Sequence, residues 1–176
     1  MNNGQIHALL KSHLETKNVF VSVYAADNLP RLPRDNRPCA YIANTAPINN
    51  AGEHWVCFFF PKNDPPEYFD SLGFPPLIND FFHFLETDQN KIIFNDCPIQ
   101  NPFSTTCGQH VIHYILKKCR HMSMKDIISP FCNHDFRIND AIINSYVEKN
   151  FNTKLNIFDK QFIKKIIYKM YSPDKK

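Results

Sequence analysis

Glycine is scarce in this chain, with only 4 in 176 residues, and no GxGxxG or related phosphate-cradling pattern occurs. Nucleotide binding through a glycine-rich loop therefore finds no support. No CxxC pair occurs either, which removes the spacing that most structural zinc sites use. No stretch approaches the ~20 consecutive apolar residues that span a bilayer. The longest apolar run, Trp55 to Pro61, is strand-sized. The first residues mix Asn, Gln, His, Lys and Glu, without an apolar segment and a small-residue cleavage site, so the expectation is an intracellular protein that is neither secreted nor membrane-bound. A strong excess of one charge is also missing, and a net charge of +3 by itself says little about partners.

What the chain has is core-forming material. Hydrophobic residues make up 43% and aromatics 14%, with 16 Phe and 7 Tyr, which excludes intrinsic disorder and suits one globular domain over residues 1–176. The six cysteines read as free thiols, because a chain of this size with this core has no need of disulfide staples. Cys119-Arg120-His121 is echoed by Cys132-Asn133-His134, but tight C-x-H pairs chelate poorly and no metal is expected there. From Lys154 to Lys176 there are seven lysines against two acids, and Phe162, Ile163, Ile166, Ile167, Met170 and Tyr171 recur at helical spacing. The plain expectation is a terminal helix at about 160–171 with a solvated lysine face. The second is a surface for an anionic partner such as DNA, which Arg31, Arg34 and Arg37 would extend.

Periodicity predicts a helix over 5–14, with Ile6, Leu9, Leu10 and Leu14 on one side. Strands follow at 19–24 and 39–43, separated by a loop that holds three prolines and three arginines between Asn28 and Pro38. The aromatic run from His54 to Phe60 suits a central strand covered on both faces. After a proline-bearing turn, Glu67 to Asp70 is expected to return antiparallel beside it, setting Asp70 near His54. A helix over 77–85, a strand over 91–95, a polar loop over 97–106 and a helix over 107–118 complete the pass. In the last helix Val111, Ile112, Ile115 and Leu116 form the buried stripe, and Thr105 or Thr106 is the natural N-cap.

His54, Asp70, Gln100 and Cys107 thus occur in chain order at the ends of elements, in contexts that suit a base, its orienter, an oxyanion donor and a thiol nucleophile. A thiol attacks a carbonyl as thiolate, and a helix N-terminus beside an imidazolium lowers its pKa. Cys107 meets the first condition by sequence, and His54 would supply the second across space. Asp70 would hold the imidazole's other N–H. The neutral amide of Gln100 would join the Cys107 backbone N–H in holding a tetrahedral oxyanion. Taken singly each residue is weak: Cys57, Cys39 and Cys119 read as inert core. His113 and His110 share the thiol's helix, and His110, three residues on from Cys107, competes with His54 for the base role.

Several segments together carry a family resemblance: Cys39-Ala40-Tyr41-Ile42-Ala43-Asn44-Thr45-Ala46, Gly52-Glu53-His54-Trp55, Tyr68-Phe69-Asp70-Ser71-Leu72-Gly73-Phe74, and Gln100 seven positions before Cys107-Gly108. Over most of residues 18 to 116 the sequence resembles the adenovirus protease (adenain) family, in the larger group that includes proteases of ubiquitin-like proteins. The resemblance implies an α+β papain-like core with permuted catalytic elements, and a central mixed or antiparallel sheet flanked by helices. It assigns His54, Asp70 and Cys107 to a triad and Gln100 to the oxyanion site. The implied activity is thiolate cleavage of viral capsid and core precursors during maturation, in host cytoplasm or nucleus and in the virion, for a virophage, a Polinton-like element or a related DNA virus. The chemistry needs no cofactor, although adenoviral enzymes are activated by DNA and by a disulfide-linked peptide. Cys97 lies too near Gln100 to inherit the peptide-linking role. Asp70 stands where adenoviral enzymes commonly carry Glu, and Asp70-Ser71-Leu72 leans toward the ubiquitin-like-protein proteases, which keeps a deubiquitinating or deSUMOylating isopeptidase as the alternative. Beyond Lys118 the resemblance ends.

Overall fold

The computed structural model describes residues 1–31, 36–86, 91–131 and 133–153. The basic segment 154–176, and with it the helix expected at 160–171, lies outside them, as do Arg34 and Cys132. Five strands form one mixed sheet in sequence order: β1 (Phe20–Tyr24), β2 (Cys39–Asn44), β3 (Trp55–Phe60), β4 (Glu67–Phe69) and β5 (Ile93–Phe94). β2, β3 and β4 run antiparallel in turn, while the outer pairs β1·β2 and β4·β5 are parallel. Five helices complete the order: α1 (Asn3–Ser12), α2 (Asn79–Leu85), α3 (Cys107–Cys119), α4 (Met124–Ile128) and α5 (Phe136–Phe151).

Every residue of β2 and β3 is buried, as expected of strands covered on both faces. Alternation divides their side chains between two cores. Trp55, Cys57 and Phe59 of β3 join Ala40 and Ile42 of β2 under α1 and α3, packing with Ile6, Leu10, Val111, Ile112 and Ile115. Val56, Phe58 and Phe60 face the other way with Tyr41 and meet α2. There Phe58 makes edge-on contacts with Phe81 and Phe84, each at 5.1 Å between ring centres. This arrangement suits the quadrupoles of the aromatic rings. The seven-residue α2 has no side-chain cap and is held by this aromatic contact.

Within the described residues the elements foreseen from periodicity are present with shifted ends, the strand foreseen at 91–95 being the shortest at two residues. The helices α4 and α5 are additional. Ser123 caps α4 by accepting from Asp126 N, and Asp135 caps α5 by accepting from Arg137 N. One cap differs from expectation. Thr106 occupies the N-cap position of α3, but its side chain makes no cap bond, and its hydroxyl pairs instead with Ser104 Oγ at 2.8 Å. Among the described residues no helix is long and apolar enough to cross a membrane.

Candidate active site

The β3–β4 hairpin brings His54 and Asp70 together. Register pairs Cys57 with Phe69, so the residue that precedes β3 and the one that follows β4 emerge at the same end of the sheet. The approach to His54 is shaped by Asn44, whose Oδ1 accepts from Glu53 N at 3.0 Å and from Ala46 N at 2.8 Å. Gly52 lets the chain pass close to this side chain, since a Cβ would lie 2.9 Å from Asn44 Nδ2 and push it aside. His54 Nε2 then meets Asp70 Oδ1 at 2.7 Å, with side chains 15% and 4% exposed. The same carboxylate oxygen accepts from Leu72 N at 2.8 Å.

Cys107 is the first residue of α3 and is 8% exposed. Its thiol interacts with the His54 ring. With Nε2 committed to Asp70, Nδ1 is the nitrogen left for the sulfur. Burial alone would raise the thiol pKa, but the hydrogen bond and charge of His54, and the backbone N–H groups of Trp55 and Gly108, bring it below the ordinary value. Burial would likewise lower the pKa of His54, yet its bonds to Asp70 and Cys107 and their negative charges outweigh that and raise it to about 9. The two shifts are opposite faces of one thiolate–imidazolium pair.

Gln100 sits on the loop that leads into α3, 2% exposed. Its Oε1 accepts from Ser71 Oγ at 2.5 Å, and its Nε2 donates to Ser104 O and Ser104 Oγ at 3.3 Å each. The structure thus gathers His54, Asp70 and Cys107 into direct contact and sets Gln100 on the loop just before Cys107. His110 does not share this position. It is fully buried, with Nε2 2.8 Å from Asp140 Oδ1 on α5. Burial holds its pKa below the ordinary value despite that carboxylate. His113 packs edge-on against Phe131 and Tyr146. Cys57 is enclosed and its pKa is raised well above the ordinary thiol value.

Two contributors escape a reading of the sequence. Asn95, beyond β5, accepts from Asp70 N at 3.0 Å and donates to Asp70 O at 2.6 Å and Cys97 O at 3.2 Å, clamping the backbone of Asp70. Nothing in its local sequence marks it. Ser71 donates to the amide oxygen of Gln100, and its signal in the sequence is its place beside Asp70 in the Tyr68–Phe74 segment, with no role of its own attached. Among the described residues there is no cluster of three or more His, Cys, Asp or Glu that could hold a metal ion.

The geometry defines a mixed α+β domain whose sheet and buried helix bring a thiol, an imidazole and a carboxylate together at strand and helix ends. No family model matches the chain, and no curated protein matches it. Among solved structures it is similar to the crystal structure of the selenomethionine ASFV pS273R protease, at a TM-score of 0.46 and 20% identity. The similarity covers 68% of this chain, which spans 46% of the length of that one.

Proposed function

We propose that the protein is a cysteine peptidase in which Cys107 is the nucleophile, His54 the base and acid, Asp70 the orienter and Gln100 an oxyanion donor. The observation that carries it is the contact chain Cys107, His54, Asp70 at the N-terminus of a buried helix, with thiol and imidazole shifted in the complementary directions that nucleophilic catalysis requires. The Cys107 thiolate attacks a peptide carbonyl carbon, and the carbonyl electrons move onto oxygen. The backbone N–H of Cys107, which has no acceptor within the first turn of a helix, and Gln100 Nε2 receive that oxyanion. The imidazolium of His54 passes its proton to the departing amine, leaving a thioester on Cys107. Water, giving a proton back to His54, then releases the acid and restores the thiolate.

For the substrate, the resemblance to the adenain family supports maturation cleavage of viral capsid or core precursors. The Asp70-Ser71-Leu72 context supports the second reading, removal of ubiquitin-like modifiers. Co-expression with candidate precursor proteins and mass analysis of the products tests the first, and electrophilic ubiquitin and SUMO probes the second. In either assay Cys107→Ala should abolish the product or the adduct, and a variant that works at the parent rate refutes the assignment of the nucleophile. DNA as an activator belongs to the same proposal. Turnover at physiological salt that is unchanged by added DNA would remove it.

A further inference from the structure

Gln100 can serve an oxyanion only if its amide presents nitrogen, not oxygen, to the reacting carbonyl. The two ends of an amide are alike in size and opposite in hydrogen-bonding character, so neighbours must choose between them. At one end stands Ser71 Oγ, fully buried and 2.5 Å from Oε1. At the other, the bonds from Nε2 to Ser104 are 3.3 Å long, beyond the usual N–H···O range. The Ser104 carbonyl can only accept, so it agrees with the orientation without holding it firmly. The main chain repeats the pairing, because Ile99 N and Gln100 N both donate to Ser71 O, at 2.9 and 3.0 Å.

We propose that Ser71 is the positioning residue of Gln100: its buried hydroxyl anchors Oε1, so that Nε2 faces the turn into Cys107 and can exchange its long bonds to Ser104 for an oxyanion. The inference rests on the reading of Gln100 as oxyanion donor and deepens it. Asp70 and Ser71 are neighbours, so one dipeptide beyond β4 serves both halves of the site. The Asp70 carboxylate orients the imidazole and the Ser71 hydroxyl orients the amide. Asn95 fixes the same dipeptide through both backbone groups of Asp70.

Ser71→Ala removes one oxygen and leaves Oε1 buried without its donor. With the anchor gone only the long bonds to Ser104 hold the amide, so its plane turns more freely and its N–H leaves the place set for the oxyanion. Side-chain amide signals of nitrogen-15-labelled protein, with Gln100 assigned by its loss in Gln100→Ala, report the anchor directly. In Ser71→Ala the Gln100 signal should shift and exchange faster with solvent. Turnover should fall about 10- to 100-fold in kcat with KM nearly unchanged, within the effect of deleting a whole oxyanion donor. In the Gln100→Ala background the same substitution should cost nothing more, and alkylation of Cys107 by iodoacetamide, which needs no oxyanion site, should keep the parent rate. An unmoved Gln100 signal, or a full additive loss in the double variant, overturns the proposal. If the parent shows no Cys107-dependent turnover, the proposed function fails while the amide signal still decides whether Ser71 sets the orientation.

Discussion

Replacing Asp70 by Asn is the most searching perturbation of the site, because it keeps the shape and removes the charge. Asn Oδ1 can still accept from Leu72 N, which now donates to Asp70 at 2.8 Å, so the turn has no reason to move. What changes is support for the imidazolium. With His54 Nε2 and Asp70 Oδ1 at 2.7 Å, the charge centres are about 4 Å apart, and unit charges at that distance attract by about 4 kcal/mol at an effective dielectric of about 20. The Asn carbonyl dipole recovers part of this, leaving a net loss of about 1.5–3 kcal/mol, or roughly 10- to 100-fold in the population of the thiolate–imidazolium pair.

The sign of the pH dependence follows from the two shifts. The reactive pair exists above the lowered pKa of Cys107 and below the raised pKa of His54, about 9. Iodoacetamide alkylation of Cys107, followed across pH by peptide mass analysis, reads that window without any knowledge of the substrate. The parent should react on a plateau that begins below the ordinary thiol pKa. In Asp70→Asn the acid limb should move upward by about one to two pH units, so that the rate on that limb falls by about one to two orders of magnitude. A profile superimposable on that of the parent refutes the role given to Asp70. Cys57, enclosed and raised in pKa, serves as the slow internal reference.

Three further outcomes are expected. Glu67 accepts from the Tyr114 hydroxyl and from Lys118 Nζ, the latter at 2.8 Å with both side chains 9% exposed. Glu67→Ala strands that ammonium and should cost about 3–5 kcal/mol, or roughly 6–20 °C in Tm by calorimetry; a drop of only a degree or two contradicts it. His113 is held at about 3, by burial first, then by His110 whenever that ring is protonated, and by the charges of Lys117 and Arg120. The unfolded chain therefore binds a proton that the fold refuses, and stability should be lost as pH falls from about 6.5 toward 3, by at most about 1.4 kcal/mol per pH unit. His113→Phe should flatten this acid slope in thermal melts, and an equal slope would sink the attribution. Gly73 has φ +77°, and a Cβ there would lie 2.7 Å from Pro98 N. Gly73→Ala should cost more than the ~1–2 kcal/mol of the left-handed backbone alone, so a urea melt matching the parent would show that the close approach to Pro98 is not real.

The parts of this molecule open to a reading of the sequence are those where local pattern and tertiary demand coincide. The run from Trp55 to Phe60 is apolar at every position because both faces of β3 are covered, and the short turn at 61–66 leaves the next strand little choice but to return beside it. The contact between His54 and Asp70 follows from that hairpin. By contrast α5 is hidden from pattern because half of the residues it buries are polar: Asn139 Nδ2 donates to Ile99 O at 2.9 Å, and Asp140 meets His110. A search for apolar periodicity passes over a helix whose inward residues include Asn139, Asp140 and Asn144. Asn95 escapes for a related reason. Its bonds join it to Asp70, 25 positions away, and no spacing rule reaches that far.

The choice between His54 and His110 shows why residue type and spacing alone could not assign the base. Each histidine holds an aspartate at nearly the same distance, 2.7 Å for Asp70 and 2.8 Å for Asp140. Asp70 and Asp140 would each raise a histidine's pKa. Burial decides between them. Around His110 both side chains are fully enclosed, desolvation dominates, and the ring stays neutral. His54 retains 15% exposure and has the Cys107 thiolate as a second anion, so the charged ring wins. The positive charge of His54 presses the pKa of His110 down further. The charged imidazole of His54 thus helps keep its neighbour neutral, and the neutral neighbour can hold α5 against α3 without competing for the proton of Cys107.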